Sequence, residues 1–347
     1  MNKLLSLIFV VLLSQFGANC TAQSSDDPVA YMASINNAQT EMNQKYMAYM
    51  SAAAHSRKAR KIEKLRSQVL QSIDNSRFKT LDIPIYKGDN SLRQSSIDYI
   101  KLCYNVFNDD YAKIVNMEDI AEQSYDEMQA YLLLREKTND KVTEAVAKMN
   151  EASKAFAAKY NIQLIDQKSE LDAKLDDAGN VNSYVDSVYL IFFKCYWQDG
   201  EITKAMNTQK LTEIEQGRTS LIRFADEGLA QLSTMKPYAG DISLANTCKK
   251  VLEFYKKMAE EDLPKQTDYF LKTENFDKIK KSFDSKSKNE RTKQDVDEFN
   301  KSVDDLNKSA TAFNTVNKNI NDTRNYLLDN WNESEKNFID SHMPYYK

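Results

Sequence analysis

Apolar residues recur at every third or fourth position along most of the chain, which is the spacing of amphipathic helices. Three long series show this spacing most clearly. The first comprises Ile35, Ala38, Met42, Tyr46, Tyr49 and Ala53. The second comprises Val142, Val146, Met149, Ser153, Phe156 and Tyr160, and the third comprises Phe299, Val303, Leu306, Ala310, Phe313, Val316 and Ile320. With further helices expected around 57–75 and 92–116, the pattern predicts an all-α fold.

One segment breaks the helical pattern, and it occurs twice. Both copies read Tyr-x-Gly-Asp-x-Ser-Leu and lie 152 residues apart: Tyr86, Gly88, Asp89, Ser91 and Leu92, then Tyr238, Gly240, Asp241, Ser243 and Leu244. Similar matches occur upstream, at Tyr31 and Tyr184, and downstream, at Phe156 and Phe313. Three matches in the same order predict a tandem duplication. We therefore expect two helical-bundle units of about four helices each.

The repeated segment has two interpretations. Its Asp, Ser and Tyr side chains around a glycine turn could bind a cation or a polar ligand. Alternatively, Gly makes the turn, Asp or Ser caps the following helix, and Tyr and Leu fix the loop to the core. The structural interpretation is the stronger one, because Pro84 cannot continue a helix and Gly88 permits a turn.

The matches also divide the chain into domains. Residues 23–165 and 182–347 are expected to form the two bundles. The connector is assigned to 166–181, because this stretch is rich in Asp, Lys and Gln and ends near Gly179 and Asn180.

The N-terminus, residues 1–22, has the pattern of a bacterial export signal peptide. A positive charge precedes the apolar stretch 4–16, which is too short for a stable membrane span. Two processing routes are open: a cut before Gln23, or lipidation of Cys20. Either route predicts an exported protein in the periplasm, at the outer membrane surface or outside the cell. Its contact with the membrane is expected only through a lipid anchor on Cys20.

The amino-acid composition excludes one function class and one fold class. Lys and Arg total 47 and Asp and Glu total 51, so the net charge of −4 argues against a dedicated nucleic-acid binder. Only 7 Gly and 5 Pro occur in 347 residues, too few for the turns of an all-β sandwich. An apolar share of 41%, with 15 Phe and 19 Tyr, is enough to build a core.

Three cysteines remain besides Cys20: Cys103, Cys195 and Cys248. Their simplest interpretation is as small buried side chains on helices. An oxidising compartment also permits a disulfide, for which Cys195 and Cys248 are the first pair to test.

Recognisable catalytic and ligand-binding motifs are missing from the sequence. Only His55 and His342 supply imidazoles, and no zinc, calcium, nucleotide or serine-hydrolase pattern occurs. The sequence therefore predicts a non-enzymatic protein, with no catalytic residues, no metal and no cofactor.

The most apolar window runs from Tyr189 to Trp197, on the expected first helix of the second unit. A helix that is apolar all round is normally buried in a core. The alternative is that Phe192, Phe193 and Trp197 line a cleft for an apolar ligand between the two units.

The order of features is similar to one known family. An export signal is followed by the run from Asp27 to Tyr31, by a helix rich in Met and Asn, and by an alanine-to-basic segment from Ala52 to Arg60. In this the chain resembles the ErpY-like bacterial surface proteins, which are exported, mostly lipidated and helical. The resemblance implies surface display and attachment to other macromolecules, with no catalytic residues to carry over.

These observations favour an exported helical protein of the envelope or cell surface that acts as a binding module. The alternative is a periplasmic carrier that holds an apolar small molecule between the bundles. The sequence names neither the partner nor the oligomeric state.

Overall fold

Helices account for nearly all of the structure, a computed structural model that describes residues 26–56, 58–110, 121, 123–164 and 169–346. In the first half of the chain the helices are α1 (Pro28–His55), α2 (Ala59–Asp82), α3 (Ser91–Asn105) and α4 (Tyr125–Lys159). In the second half they are α5 (Glu170–Asn207), α6 (Leu211–Thr234), α7 (Ser243–Lys257), α8 (Leu263–Asp284) and α9 (Lys293–His342). The all-α prediction is confirmed, since the described residues contain no strand beyond two isolated bridges.

The chain forms two compact units. The first takes in the described residues up to Asp186 and those from Asn337 onward, and the second is Ser187–Lys336. Both boundaries fall inside helices, so α5 and α9 each contribute to both units.

These boundaries differ from the ones expected from the sequence. A connector is predicted at 166–181, yet α5 begins at Glu170 and runs without a break through Gly179. Burial explains the difference, because a buried apolar face outweighs the roughly 1 kcal/mol that glycine costs a helix. The buried positions of that face are Leu175, Ala178, Val181 and Val185. The C-terminal residues from Asn337 onward, expected in the second bundle, belong to the first unit.

The start of α1 follows directly from local sequence. The carboxylate of Asp27 accepts the backbone N–H of Val29 at 2.9 Å, which caps the helix. Pro28 occupies the first turn, where its missing N–H leaves no helical bond unmade. The export signal and Cys20 lie outside the described residues.

The core of the first unit lies between α1, α2, α3 and α4. The predicted apolar series of α1, from Ile35 to Ala53, is buried throughout. Consecutive helices pack against each other, and the rings of Tyr31 and Phe156, 5.4 Å apart, join α1 to α4. The short connections from α1 to α2 and from α2 to α3 make these neighbouring helices antiparallel.

In the second unit, α6 lies close to both α5 and α7. A Cβ atom added to Gly228 would lie 2.5 Å from Leu252 Cδ2 and 2.9 Å from Ile191 Cγ2. Only a glycine therefore permits this approach without a shift of the neighbouring side chains.

π-helical segments follow both α3 and α7. The first is Val106–Asp110, and the second, Met258–Asp262, joins α7 to α8. Pro264 lies in the first turn of α8, where a proline lacks an N–H and crowds the preceding turn. The wider π-helical turn just before it allows the helix to continue.

The two units share several elements at one sequence offset. α2 and α6 have 24 residues each, α3 and α7 have 15 each, and the π-helical segments have 5 each. Each of these three elements of the second unit begins 152 residues after its counterpart, as Ser243 follows Ser91. The offset is the same as that of the repeated sequence segment, and the tandem duplication stays a prediction from the sequence.

Candidate functional site

The repeated segment forms the same tight turn in both units. In the first unit Asp89 N donates to Tyr86 O at 2.7 Å, and Lys87 and Gly88 have φ angles of 47° and 81°. In the second, the corresponding distance is 2.8 Å and the corresponding φ angles are 47° and 86°, at Ala239 and Gly240. Two consecutive positive φ angles define a type I′ turn, which explains the glycine in each copy.

Asp89 ties this turn to the helices around it. Its carboxylate accepts the backbone N–H of Ser91 at 2.9 Å, the Ser91 hydroxyl at 2.7 Å and Lys159 Nζ at 2.7 Å. Hydrogen bonds from Lys159 and Ser91 hold the pKa of Asp89 well below its usual range. Asp241 likewise accepts the N–H of Ser243, at 2.7 Å. In both copies the aspartate thus stabilises the start of the next helix.

The tyrosine and leucine of the segment attach the loop to the bundle. Tyr86 packs edge-on against Tyr160 at 4.9 Å and lies 5.0 Å from the ring of Tyr31. Leu92 is buried, and so is its counterpart Leu244. These contacts support the structural interpretation of the repeated segment.

The three cysteines of the described chain are buried free thiols. The bridge considered between Cys195 and Cys248 is not formed, and Cys248 Sγ instead donates to the carbonyl of Val188 at 3.9 Å. Burial raises the pKa of Cys103 and of Cys195 to about 12, and it raises the pKa of Cys248 as well. Protonated, buried thiols are poor nucleophiles and poor metal ligands.

The aromatic residues proposed for a ligand cleft lie among other rings of the second unit. Phe192 and Phe193 are buried, whereas Trp197 is half-buried. Phe192 stacks on Trp331 at 4.2 Å with an interplanar angle of 6°, and the rings of Tyr196 and Tyr189 lie 5.5 Å and 6.1 Å from it. The Phe192 ring therefore already has aromatic partners within its own unit.

A small cavity lies in the first unit, between α1, α2 and α3. Its volume is about 10 Å³, and its lining includes Tyr46, Tyr99 and Phe107. This is about the space that a single water molecule needs, far less than an organic ligand fills.

A buried ion pair crosses the second unit, and the sequence analysis missed it. Arg324 donates twice to Asp199, from Nε at 2.7 Å and from Nη2 at 2.8 Å. Burial raises the pKa of Asp199, and the guanidinium opposes that shift. The hydroxyl of Tyr255 is buried beside the pair, and burial raises the pKa of this tyrosine well above its ordinary value.

A signal for this pair was present in the sequence. Asp199 continues the buried helical series of Val188, Phe192 and Cys195, so its carboxylate had to enter the core. A buried carboxylate requires a partner cation, but sequence spacing does not say which arginine supplies it.

His55 holds the C-terminal residues against α1. Its Nδ1 lies 3.0 Å from Asp340 Oδ1, its Nε2 lies 3.1 Å from Met343 O, and Tyr345 stacks on its ring at 3.7 Å. Tyr346 N adds a bond to Ser51 Oγ at 2.9 Å. Within the described residues no three His, Cys, Asp or Glu side chains gather where they could hold a metal ion.

Three large apolar side chains at the end of α2 face solvent. Phe78, Leu81 and Ile85 are 55%, 42% and 52% exposed, and we call them the α2 patch. The buried face of α2 passes instead through the small polar residues Ser76 and Thr80. This reverses the usual distribution, in which large apolar residues are inside and hydroxyls outside.

The chain enters the first unit next to the α2 patch. The Tyr86 hydroxyl donates to Asp26 O at 2.7 Å, and Lys87 Nζ lies 3.5 Å from Asp26 Oδ1. Tyr86 and Lys87 directly follow Ile85 in the sequence, so the two residues after the patch hold Asp26.

No family model, curated protein or solved structure matches this chain. The resemblance to the ErpY-like proteins thus stays a prediction from the sequence. Among the described helices, none combines the length and the apolar character needed to cross a membrane.

Proposed function

We propose that this chain is an exported, non-enzymatic helical protein of the bacterial envelope or cell surface that acts as a binding module. The observation that carries the proposal is the α2 patch. Clustered large apolar side chains that remain in solvent are typical of interaction sites on soluble proteins.

The titration of buried groups supports a binding role over a catalytic one. Strongly shifted pKa values often mark active sites. Here these shifts have structural causes: burial desolvates the thiols, Asp199 and Tyr255, and hydrogen bonds from Lys159 and Ser91 hold Asp89. Groups engaged in this way serve the fold.

We also infer that the two units descend from a tandem duplication, and that binding is specialised in the first. The matched helix lengths and the two type I′ turns support the duplication. The α2 patch is not duplicated, because the positions 152 residues after it are Ala230, Ser233 and Pro237.

Site-specific photo-cross-linking in cells that export the protein tests the binding role. A photoreactive residue at Leu81 should give cross-links to an envelope component. The control is Leu271, on α8, which is 52% exposed compared with 42% for Leu81 and lies outside the patch. Equal cross-linking from both positions, or none from Leu81, would contradict the proposal.

Mass spectrometry of the exported protein tests the proposed processing. A chain that starts at Gln23 indicates simple cleavage, whereas a chain that starts at a lipid-modified Cys20 indicates an anchor. Replacing Cys20 with serine should abolish the lipid mass in the second case, because serine has no thiol to carry the lipid. A chain that keeps residues 1–19 after export would contradict both routes.

A further inference from the structure

We propose that the α2 patch docks on the surface of a lipid bilayer. This proposal rests on the envelope location proposed above and names the partner of the same surface. The three side chains would insert among the lipid headgroups and upper acyl chains, as the apolar faces of interfacial proteins do.

The composition of the patch and its rim fits this partner. Phe78 and Leu81 are one helical turn apart on α2, and Ile85 follows just beyond its end. Lys79 and Lys87 flank them, with 53% and 51% of their side chains exposed. Their ion pairs with Glu41 and Asp26 are at the surface and therefore weak, so the lysines can reach headgroup phosphates.

The position of the N-terminal residues gives the second, independent argument. Asp26 is hydrogen-bonded to Tyr86 at the edge of the patch, and only residues 21–25 separate it from Cys20. An extended chain spans at most about 3.5 Å per residue, so the six residue steps between Asp26 and Cys20 limit the reach of a lipid on Cys20 to roughly 20 Å from Asp26. A lipid on Cys20 would hold this end of the first unit next to the bilayer. Two membrane signals together give stable attachment where one alone is marginal.

The second unit shows that the fold does not require the patch. Its corresponding loop has the same turn and nearly the same φ angles, but Ala230, Ser233 and Pro237 occupy the equivalent positions. The apolar side chains of the first unit are thus additions to a loop that forms without them.

Vesicle flotation tests the proposal with the exported chain beginning at Gln23, which lacks any lipid. Vesicles of phosphatidylethanolamine and phosphatidylglycerol should carry the protein upward. Replacing Phe78, Leu81 and Ile85 together with serine should weaken the binding at least about tenfold, because most of the inserted apolar area is lost. The exposed-site control Leu271→Ser should bind like the unchanged protein. Circular dichroism should show that both variants keep their helices.

Two results would overturn the proposal: no flotation of the unchanged protein, or equal flotation of the triple variant. A third result would also overturn it: the unchanged protein sediments as a dimer and does not bind vesicles, and the triple serine variant sediments as a monomer. The patch would then join two copies of the chain. Cross-linking of Leu81 to a protein, with no vesicle binding, would refute the bilayer as partner and leave the binding-module proposal standing.

Discussion

Asp199 is a carboxylate on a buried helix face, and its burial depends on Arg324. Neither residue could be buried alone, because an unpaired charge in a core is far more costly than a paired one. The two hydrogen bonds of the guanidinium match both carboxylate oxygens, the geometry in which arginine binds carboxylates best.

Removing only the cation should therefore be strongly destabilising. We expect Arg324→Met to lower the free energy of unfolding by about 3–5 kcal/mol, because Asp199 is left buried and unpaired. The double variant with Asp199→Leu should recover most of the loss. Urea unfolding followed by circular dichroism measures both, and a double variant no more stable than the single one would contradict the explanation.

Asp89 should make the stability of the first unit depend on pH. Its folded pKa lies below the ordinary value of 3.8, so its bonds stabilise the fold fully above that value. As the pH falls below about 4, the unfolded chain takes up the proton first and this stabilisation is lost. Asp89→Asn should lower stability at neutral pH by up to about 1 kcal/mol, because the amide oxygen can still accept from Ser91 but the charge that pairs with Lys159 is lost.

Urea unfolding at about pH 6 and about pH 3 checks the sign of this effect. The unchanged protein should lose more stability between the two values than Asp89→Asn does. Glu274→Gln is the control, since Glu274 bonds Lys278 on an exposed face of α8 and should change the pH dependence less. Equal losses in the unchanged protein and in Asp89→Asn would show that Asp89 is not the titrating group.

At the level of elements, the two turns depend on glycine for its backbone conformation, whereas Gly200 in α5 has a helical backbone that alanine adopts without strain. We expect Gly88→Ala to destabilise the protein by about 1 kcal/mol or more. The φ angle at Gly88 is 81°, and the Cβ atom of alanine makes a positive φ angle unfavourable. Gly240→Ala should behave in the same way, since its φ is 86°. Gly200→Ala, on α5 with open space around the new methyl, should instead stabilise by up to about 1 kcal/mol. Thermal unfolding of the three variants measures these effects. A Gly88→Ala variant that is more stable than the unchanged protein would contradict the requirement for glycine in the turn.

Elements set by local sequence were predictable. The series from Ile35 to Ala53 is buried as expected, and the same is true from Val142 to Phe156. The loop after Pro84 also formed where the breakers predicted it. These features depend on spacing and turn chemistry within a few residues, which a sequence displays directly.

Features set by distant packing were not predictable. Gly179 suggested a break, but the apolar face of α5 continues through it. Phe78 and Leu81 are large and apolar, so their chemistry predicts burial in a core. In the structure they are exposed, and α2 buries Ser76 and Thr80 instead. The Thr80 hydroxyl can enter because it bonds the carbonyl of Ser76 at 2.8 Å, which removes the cost of burying it.

At the scale of the whole molecule, the chain leaves the first unit and later returns to it. The second unit, Ser187–Lys336, is continuous in sequence, whereas the first is completed by residues from the far end of α9. Phe338 is buried there and stacks on Tyr184 at 5.2 Å, in addition to the contacts of His55. Apolar spacing continues evenly along α9, so spacing alone does not indicate which unit its last turns pack against.

Because the C-terminal residues pack in the first unit, we expect a substitution near the C-terminus to destabilise the first unit selectively. Phe338→Ala should remove about 3–5 kcal/mol of stability from the first unit, because it empties a buried aromatic site. Trp197 and Trp331, the two tryptophans of the chain, both lie in the second unit, so their fluorescence reports that unit alone. The midpoint seen by circular dichroism should therefore fall further than the midpoint seen by fluorescence.

The reciprocal control is Leu252→Ala, a substitution in the core of the second unit. It should lower the fluorescence midpoint at least as much as the circular dichroism midpoint, because the lost contacts surround the reporting unit. If Phe338→Ala instead lowered both midpoints equally, the two units would unfold as one cooperative body. Helices α5 and α9, which belong to both units, would then transmit the loss, and the selective effect predicted for Phe338 would be wrong.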